Sequence, residues 1–379
     1  MDHQTLDPQR QQQAKQYAKI RRQFMLLDLA LGAIMLLVWL LVGWSFLLRD
    51  WIFSWTQNQW IAVIVFGAVF GSVFSLLDLP LSYYTGFVLP HRYQQSNQTL
   101  QGWWGDLIKS LLLSAVIGGF LLEVLYLILR TAPDTWWLWT AGFLLLFNVI
   151  LANLAPVLLF PIFYKFLPLD EEYLDLQERL ISLAEKAGTK VTGVFKFDMS
   201  RRTKAANAGL TGLGNTRRII LGDTLLEEFS PDEIETVLAH ELGHHANHDI
   251  PLGMAVQTVI TLVGLYLTSR GLFWGITRFG FESISDIAAL PLFGLFLGIF
   301  GLITMPLSNG FSRWREQLAD EFALQLTGKG FSYASALTRL SNQNLAEVDP
   351  EPWIEFFLHS HPALEKRIQM AQSYNPDNR

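Results

Sequence analysis

The chain has 379 residues, 51 % of them hydrophobic and 16 % charged, with a formal net charge of −6. It contains no cysteine, which excludes disulfides and thiolate metal sites, so any bound metal must be held by His, Asp or Glu. The mild negative charge gives no electrostatic reason to expect nucleic acid as a partner.

The apolar residues are segregated along the chain. Residues 1–23 are polar and carry Arg10, Lys15, Lys19, Arg21 and Arg22. The apolar run that follows is too long for a signal-peptide core, and it reads as a retained membrane anchor. A helix needs roughly 20 mostly apolar residues to cross a hydrocarbon core of ~30 Å. Six segments meet this: Phe24–Leu48, Trp60–Leu79, Leu107–Leu129, Trp136–Phe160, Pro251–Thr268 and Ile287–Leu307. Pro156 and Pro161 are expected to kink or end the fourth. Trp51, Trp55, Trp60, Trp103, Trp104, Trp136 and Trp137 cluster near segment ends, as interface anchors do. Asp28, Asp78, Glu123, Asn148 and Asn153 lie within or near the spans. Such groups either line a water-filled chamber or bond between helices.

Charge placement sets the expected orientation. With the N-terminus inside, residues 1–23, 80–109, 161–250 and 308–379 are inside, and the outer loops hold only Arg49, Arg130, Arg270 and Arg278. The chain thus divides into a cytoplasmic N-terminal segment (1–23), four membrane helices (24–165), a first polar piece (166–250), two further membrane helices (251–307) and a second polar piece (308–379). The polar pieces together form a cytoplasmic domain, and a bacterial cytoplasmic membrane suits this compact chain.

The first polar piece should open with an amphipathic helix, Glu171–Ala187, stopped by Gly188. Val191–Met199 and Arg217–Leu221 have strand composition, joined by a loop rich in Arg, Lys, Asn and Gly. Ser230-Pro231-Asp232-Glu233 has the form of a capping box, so a helix should run from there through His248. On it, His240 and His244 are four residues apart and therefore on one face. Two imidazoles so placed can bind one Zn²⁺, leaving room for a third protein ligand and a water. Glu241 is rotated about 100° around the axis, which suits a base acting on that water better than a ligand. His245 and His248 are read as solvated or supporting groups, because a tetrahedral site already has its donors. In the second piece, Arg313, Glu316 and Asp320 share a helix face by i, i+3, i+7 spacing. Glu316 can complete a two-His, one-Glu site, with Asp320 steadying a ligand His through its other ring nitrogen. Spacing alone is equally compatible with a solvated charged face.

These residues resemble the integral-membrane CAAX prenyl endopeptidases and their wider gluzincin superfamily. Leu238–His244 resembles the family's zinc helix, and Ser312–Asp320 resembles its SRxxExxAD helix, whose Glu is the third zinc ligand. Asn207-Ala208 followed by Arg217–Leu226 (RRIILGDTLL) is similar to a stretch that forms an edge strand over the zinc, where substrate lies extended. Ser360-His361-Pro362 with Arg367 resembles the C-terminal SHP…R motif, whose His and Arg sit near the reacting carbonyl. Tyr84–Thr99 and Pro161–Leu169 match membrane-proximal signatures of the CAAX branch.

The resemblance implies a predominantly α-helical integral membrane protein with about six transmembrane helices. It also implies a cytoplasmic gluzincin-type α+β metalloprotease domain with a small sheet. One Zn²⁺ per chain would sit on His240, His244 and Glu316, with Glu241 as base and His361 and Arg367 as oxyanion partners. Asp320 and Arg313 would support the ligands, and Asn207 and Ala208 would hold substrate by main-chain bonds. The expected substrates are peptides or proteins, lipidated or membrane-inserted, cut at the membrane. A quality-control protease of the heat-shock type is the rival enzyme reading. A non-catalytic scaffold leaves Glu241 without a use, and a transporter leaves the HExxH helix unexplained.

Overall fold

The computed structural model of the chain describes residues 5–212 and 217–375. Residues 1–4 of the N-terminal segment, 213–216 of the loop before the second expected strand and 376–379 of the second polar piece lie outside the described residues.

Helix α1 (Pro8–Leu41) starts where the Asp7 carboxylate accepts bonds from the N–H groups of Gln9 and Arg10, with Pro8 at the first helical position. The basic N-terminal segment and the first span are therefore one rod, about 51 Å long at 1.5 Å per residue. The expected continuation to Leu48 does not occur. Gly43 adopts φ +83°, a left-handed conformation open mainly to glycine, and a separate short helix, α2 (Trp44–Phe53), follows. Asn58 caps α3 (Gln59–Tyr83), which runs through a π-helical turn into the short α4 (Leu89–Arg92). Then come α5 (Leu100–Thr131) and α6 (Trp136–Leu154). The kink expected at Pro156 takes the form of a π-helical turn, Ala155–Leu159, before the short α7 (Phe160–Phe163).

Strand β1 (Phe166–Pro168) leads into the polar part. A 3₁₀ turn at Glu171–Tyr173 precedes α8 (Leu174–Lys186), so the expected amphipathic helix begins one turn late. Strand β2 (Val194–Phe197) is the middle of the expected Val191–Met199 strand. Strands β3 (Ala208–Thr211) and β4 (Arg218–Gly222) complete a four-stranded mixed sheet in the order β1-β2-β4-β3. β4 is parallel to β2 and antiparallel to β3. The outer strands are thus β1 and β3. Of the stretch expected at the edge, Arg218–Gly222 is an inner strand and Asp223–Glu228 is a helix, α9.

Helix α10 (Pro231–Ala246) begins with the expected capping box. It ends at Ala246, not His248, because His248 turns to φ +56° ahead of α11 (Asp249–Gly275). Helix α12 (Leu290–Thr327) is continuous for 38 residues, about 57 Å, and carries both the sixth span and the Glu316 face. The 307/308 boundary read from the sequence falls inside it. Helices α13 (Gly330–Gln343), α14 (Pro352–Leu358) and α15 (Leu364–Ser373) finish the chain.

Among the described residues, six helices are long and apolar enough to cross a membrane. Two cores result. One, around Leu180, Ile219, Leu238, Leu242 and Tyr333, joins the sheet to α8, α10, α12 and α13. The other, around Ile52, Phe66, Trp136 and Leu292, closes the end of the membrane bundle away from α10. Trp51, Trp55, Trp60 and Trp104 are exposed on the bundle surface, but Trp103 and Trp136 are buried and act as packing residues instead of anchors.

Candidate metal centre

The capping box sets the start of α10. Ser230 accepts from the N–H of Glu233, and the Glu233 carboxylate accepts from the N–H of Ser230 at 2.8 Å. Glu233 also accepts from the Ser335 hydroxyl at 2.7 Å, which ties α10 to α13. Further along, Gly243 lets α10 lie directly on α12. A Cβ there would stand 2.9 Å from both Cα and O of Ala319. This close approach sets the His240–His244 face of α10 against Glu316, one turn before Ala319.

The three side chains converge. His240 Nε2 lies 3.3 Å from Glu316 Oε2 and 3.2 Å from His244 Nε2, and His244 Nε2 lies 3.4 Å from Glu316 Oε1. One donor atom from each falls within 4.8 Å of the others, a group able to hold a metal ion. Each imidazole is steered by its other nitrogen. His240 Nδ1 is 2.8 Å from Asp320 Oδ1, and His244 Nδ1 is 2.7 Å from Asp249 Oδ2. With Nδ1–H donating to a carboxylate, both rings turn an Nε2 lone pair inward. Apart from the facing His240 Nε2, Glu316 Oε2 is buried without a hydrogen-bond partner among the described residues, as expected of an oxygen meant for a cation. Burial opposes protonation of His244, yet hydrogen bonds to Glu316 and Asp249 raise it to about 9. The negative field that favours a proton there favours a cation equally.

Around the ligands lies a buried polar network. Asp320 is 0 % exposed and is gripped by Arg367 through Nε at 2.8 Å and Nη2 at 2.6 Å. Tyr333 donates its hydroxyl to Asp320 at 2.5 Å, and burial holds that phenol well above its ordinary range. Asp249 is held by Arg315, whose Nη2 also donates to Asn247 O at 2.8 Å. Tyr333, Asp249 and Arg315 were not found from the sequence. Asp249 would lie well off the ligand face had α10 continued, and only the left-handed turn at His248 swings it back.

The remaining expected residues fall as follows. Glu241 lines a cavity of about 240 Å³ together with Asn207, Ala208, His361 and Arg367. Burial pushes its carboxyl above the usual glutamate range, offset in part by His240 and His244. His361 is largely exposed, and its Nε2 approaches Glu316 Oε1 to 3.2 Å. Arg367 has two nitrogens committed to Asp320, so its guanidinium is less free than an oxyanion donor would be. Arg313 joins none of the ligand residues among the described contacts. Its Nη1 bonds the carbonyls of Glu355 and His359, at 2.8 and 2.6 Å, and so fixes the approach to His361. A larger cavity of about 420 Å³, between α6 and α11, holds Asn148, Gln257 and Thr258 but none of these residues.

A helical membrane bundle joined to a His-His-Glu centre with a half-buried glutamate beside it defines a membrane-embedded metalloendopeptidase. Residues 3–165 match the CAAX prenyl protease N-terminal region, described as five membrane helices, and residues 170–375 match Peptidase family M48. Within 3–165 the structure has four helices of spanning length plus the short α2. The chain belongs to peptidase family M48. It is 29 % identical over 363 residues to an uncharacterized metalloprotease of Bacillus subtilis, covering 95 % of this chain and 84 % of that relative. It is 32 % identical over 323 residues to CAAX prenyl protease 1 of Saccharomyces cerevisiae, covering 80 % and 71 %. The crystal structure of S. mikatae Ste24p superposes with a TM-score of 0.85 at 27 % identity, covering 97 % of this chain and 90 % of that one.

Proposed function

We propose that the chain is a zinc endopeptidase that cuts extended peptide segments at the membrane, with prenylated C-terminal CAAX peptides as the substrate class. The observation that carries this is the meeting of three ligand side chains, one of which, His240, lines a cleft together with Glu241 and with Ala208 of the outer strand β3. The donor set, two imidazoles and a carboxylate, is the set zinc takes in catalytic sites. Zinc held by His240, His244 and Glu316 supplies Lewis-acid chemistry at the scissile carbonyl and at water.

The chain's own residues do the rest. The Glu241 carboxylate takes a proton from the attacking water and returns it to the leaving amine. His361, whose Nε2 lies 3.2 Å from Glu316 Oε1, would donate to the developing oxyanion. Arg367 acts through Asp320 and Tyr333, which hold the His240 ring in place. Strand β3 offers main-chain groups to a substrate strand next to Ala208. The prenyl preference is supported by the names of the relatives, CAAX prenyl protease 1 among them. A prenylated CAAX peptide and an unfolded membrane protein, offered to the purified enzyme, test it. Cleavage of the unfolded protein alone would favour quality control.

The Lys and Arg distribution supports a cytoplasmic catalytic domain. The chain lacks cysteine, so single cysteines at Glu171 and Gln57, both exposed, can report sidedness. An impermeant thiol reagent on intact cells should label position 57 and spare position 171.

A further inference from the structure

The outer edge of the chain entering β3 is covered at one end and open at the other. Gly222 N donates to Asn207 O, at 2.8 Å, so Asn207 faces β4. In an antiparallel ladder residues alternate, which turns the main-chain groups of Ala208, and of Ala206 two residues ahead of it, outward. Ala208 N donates to the neighbouring Asn207 Oδ1 at 2.9 Å, a local bond that leaves Ala208 O outward, whereas Ala206 is taken by another segment altogether. The Asn344 carboxamide bonds both polar groups of Ala206: its Oδ1 accepts from Ala206 N at 2.9 Å, and its Nδ2 donates to Ala206 O at 3.2 Å. Gln343 Nε2 donates to Lys204 O at 2.9 Å. The Asn344 side chain therefore stands where a peptide unit of an added strand would stand. Asn344 and Ala206 line the same cavity as His240, Glu241 and Ala208.

The loop that carries Asn344 is firmly held. The next residue, Leu345, is buried in a left-handed conformation, φ +51°. Gln11 of α1 donates to Ser341 Oγ at 3.0 Å and to Ala346 O at 3.2 Å, and Arg10 donates to Asn342 O at 3.2 Å. Arg22 pairs with Glu347 at 2.7 Å. The long first helix thus braces the 341–347 segment, which spans the end of α13 and the loop after it.

Resting on the peptidase reading above, we propose that Asn344 is a specificity-determining stop that ends the substrate strand at Ala206. A substrate pairing antiparallel to β3, the slightly stronger pairing, runs its C-terminal part toward Ala206. The chain beyond the cut bond must then end, or turn away, within a few residues. The enzyme is built to cut near a C-terminus, and the limit comes from a side-chain amide that mimics a bound peptide.

The test uses the zinc-loaded full chain and two prenylated peptides, one ending at a CAAX-type C-terminus and one extended there by a flexible Gly/Ser tail, with products identified by mass. Wild type should prefer the short peptide in kcat/KM, and Asn344→Ala should lower that preference about tenfold, the scale of two main-chain hydrogen bonds. If Asn344→Ala does not fold, Asn344→Asp serves, because it sets an oxygen against Ala206 O where the wild type has a donor. Equal cleavage of both peptides by wild type, or an unchanged preference in a folded variant, overturns the proposal. Failure of wild type to cut either peptide removes the peptidase reading itself, and the stop with it.

Discussion

Glu241 is the residue on which the proposed chemistry turns. It belongs to the cleft and to none of the ligand contacts, so Glu241→Gln should leave metal content unchanged. The rate should fall about 10²- to 10⁴-fold, the usual contribution of a positioned base. Metal analysis beside a cleavage assay reads both; retained cleavage would remove Glu241 from this role. Arg367 and Asp320 form a buried charge pair, with side chains 10 % and 1 % exposed. Arg367→Met leaves Asp320 with Tyr333 and His240 but no cation, and should cost about 3–5 kcal/mol of stability. Denaturant unfolding of the variant checks this; a loss near zero would mean that water or repacking compensates.

At the scale of elements, the contact between α10 and α12 decides the geometry. Gly243→Ala should push the two helices apart, since its Cβ would meet backbone atoms of Ala319 at 2.9 Å. The expected cost is about 1–3 kcal/mol, together with weaker metal binding, measurable by melting and by metal titration. Helices α8, α10 and α13 are also pinned electrostatically. Arg179 bonds Glu235 at 2.6 Å and Asp232 at 2.5 Å, and Lys329 bonds Asp232 at 2.8 Å and also pairs with Glu235. Burial would raise Glu235, but Arg179 and Lys329 lower it; the Lys329 hydrogen bond is the main cause that lowers Asp232. A depressed carboxyl stabilises the fold fully above its unfolded pKa, about 4, and loses that contribution as pH falls through its lower folded value. The difference in melting temperature between wild type and Glu235→Gln should therefore be widest near neutral pH and shrink below about pH 4. A constant difference would mean that the network contributes through packing alone.

On the scale of the whole molecule, the metal centre is a clasp between segments far apart in sequence. His240 and His244 come from the helix before the fifth span, and Glu316 from the far end of the sixth. A bound metal should stabilise the folded chain by mass action, about 2.7 kcal/mol at a hundredfold excess over Kd. Chelation should lower the melting temperature of the membrane-embedded enzyme, and zinc should restore it. No shift on chelation would mean that α10 and α12 are held by packing alone.

Much of this was legible in the sequence because it depends on local periodicity. Six apolar runs of spanning length, the capping box at Ser230 and the i, i+4 pair His240–His244 each need only their neighbours to be recognised. The pieces that escaped depend on contacts between distant segments. Asp249 reaches His244 because His248 leaves the helix with φ +56°. Tyr333 joins Asp320 and Arg367 from a separate helix, and Arg313 turns to the carbonyls of α14 and away from the ligands. The sequence by itself determined the membrane topology class and the chemistry of the ligand set, because hydrophobic length and donor type are properties of the residues. Only the tertiary structure decided which strand lies open beside the metal, what covers its end and which carboxylates steer the histidines, because each of those is set by how helices and strands pack across the chain.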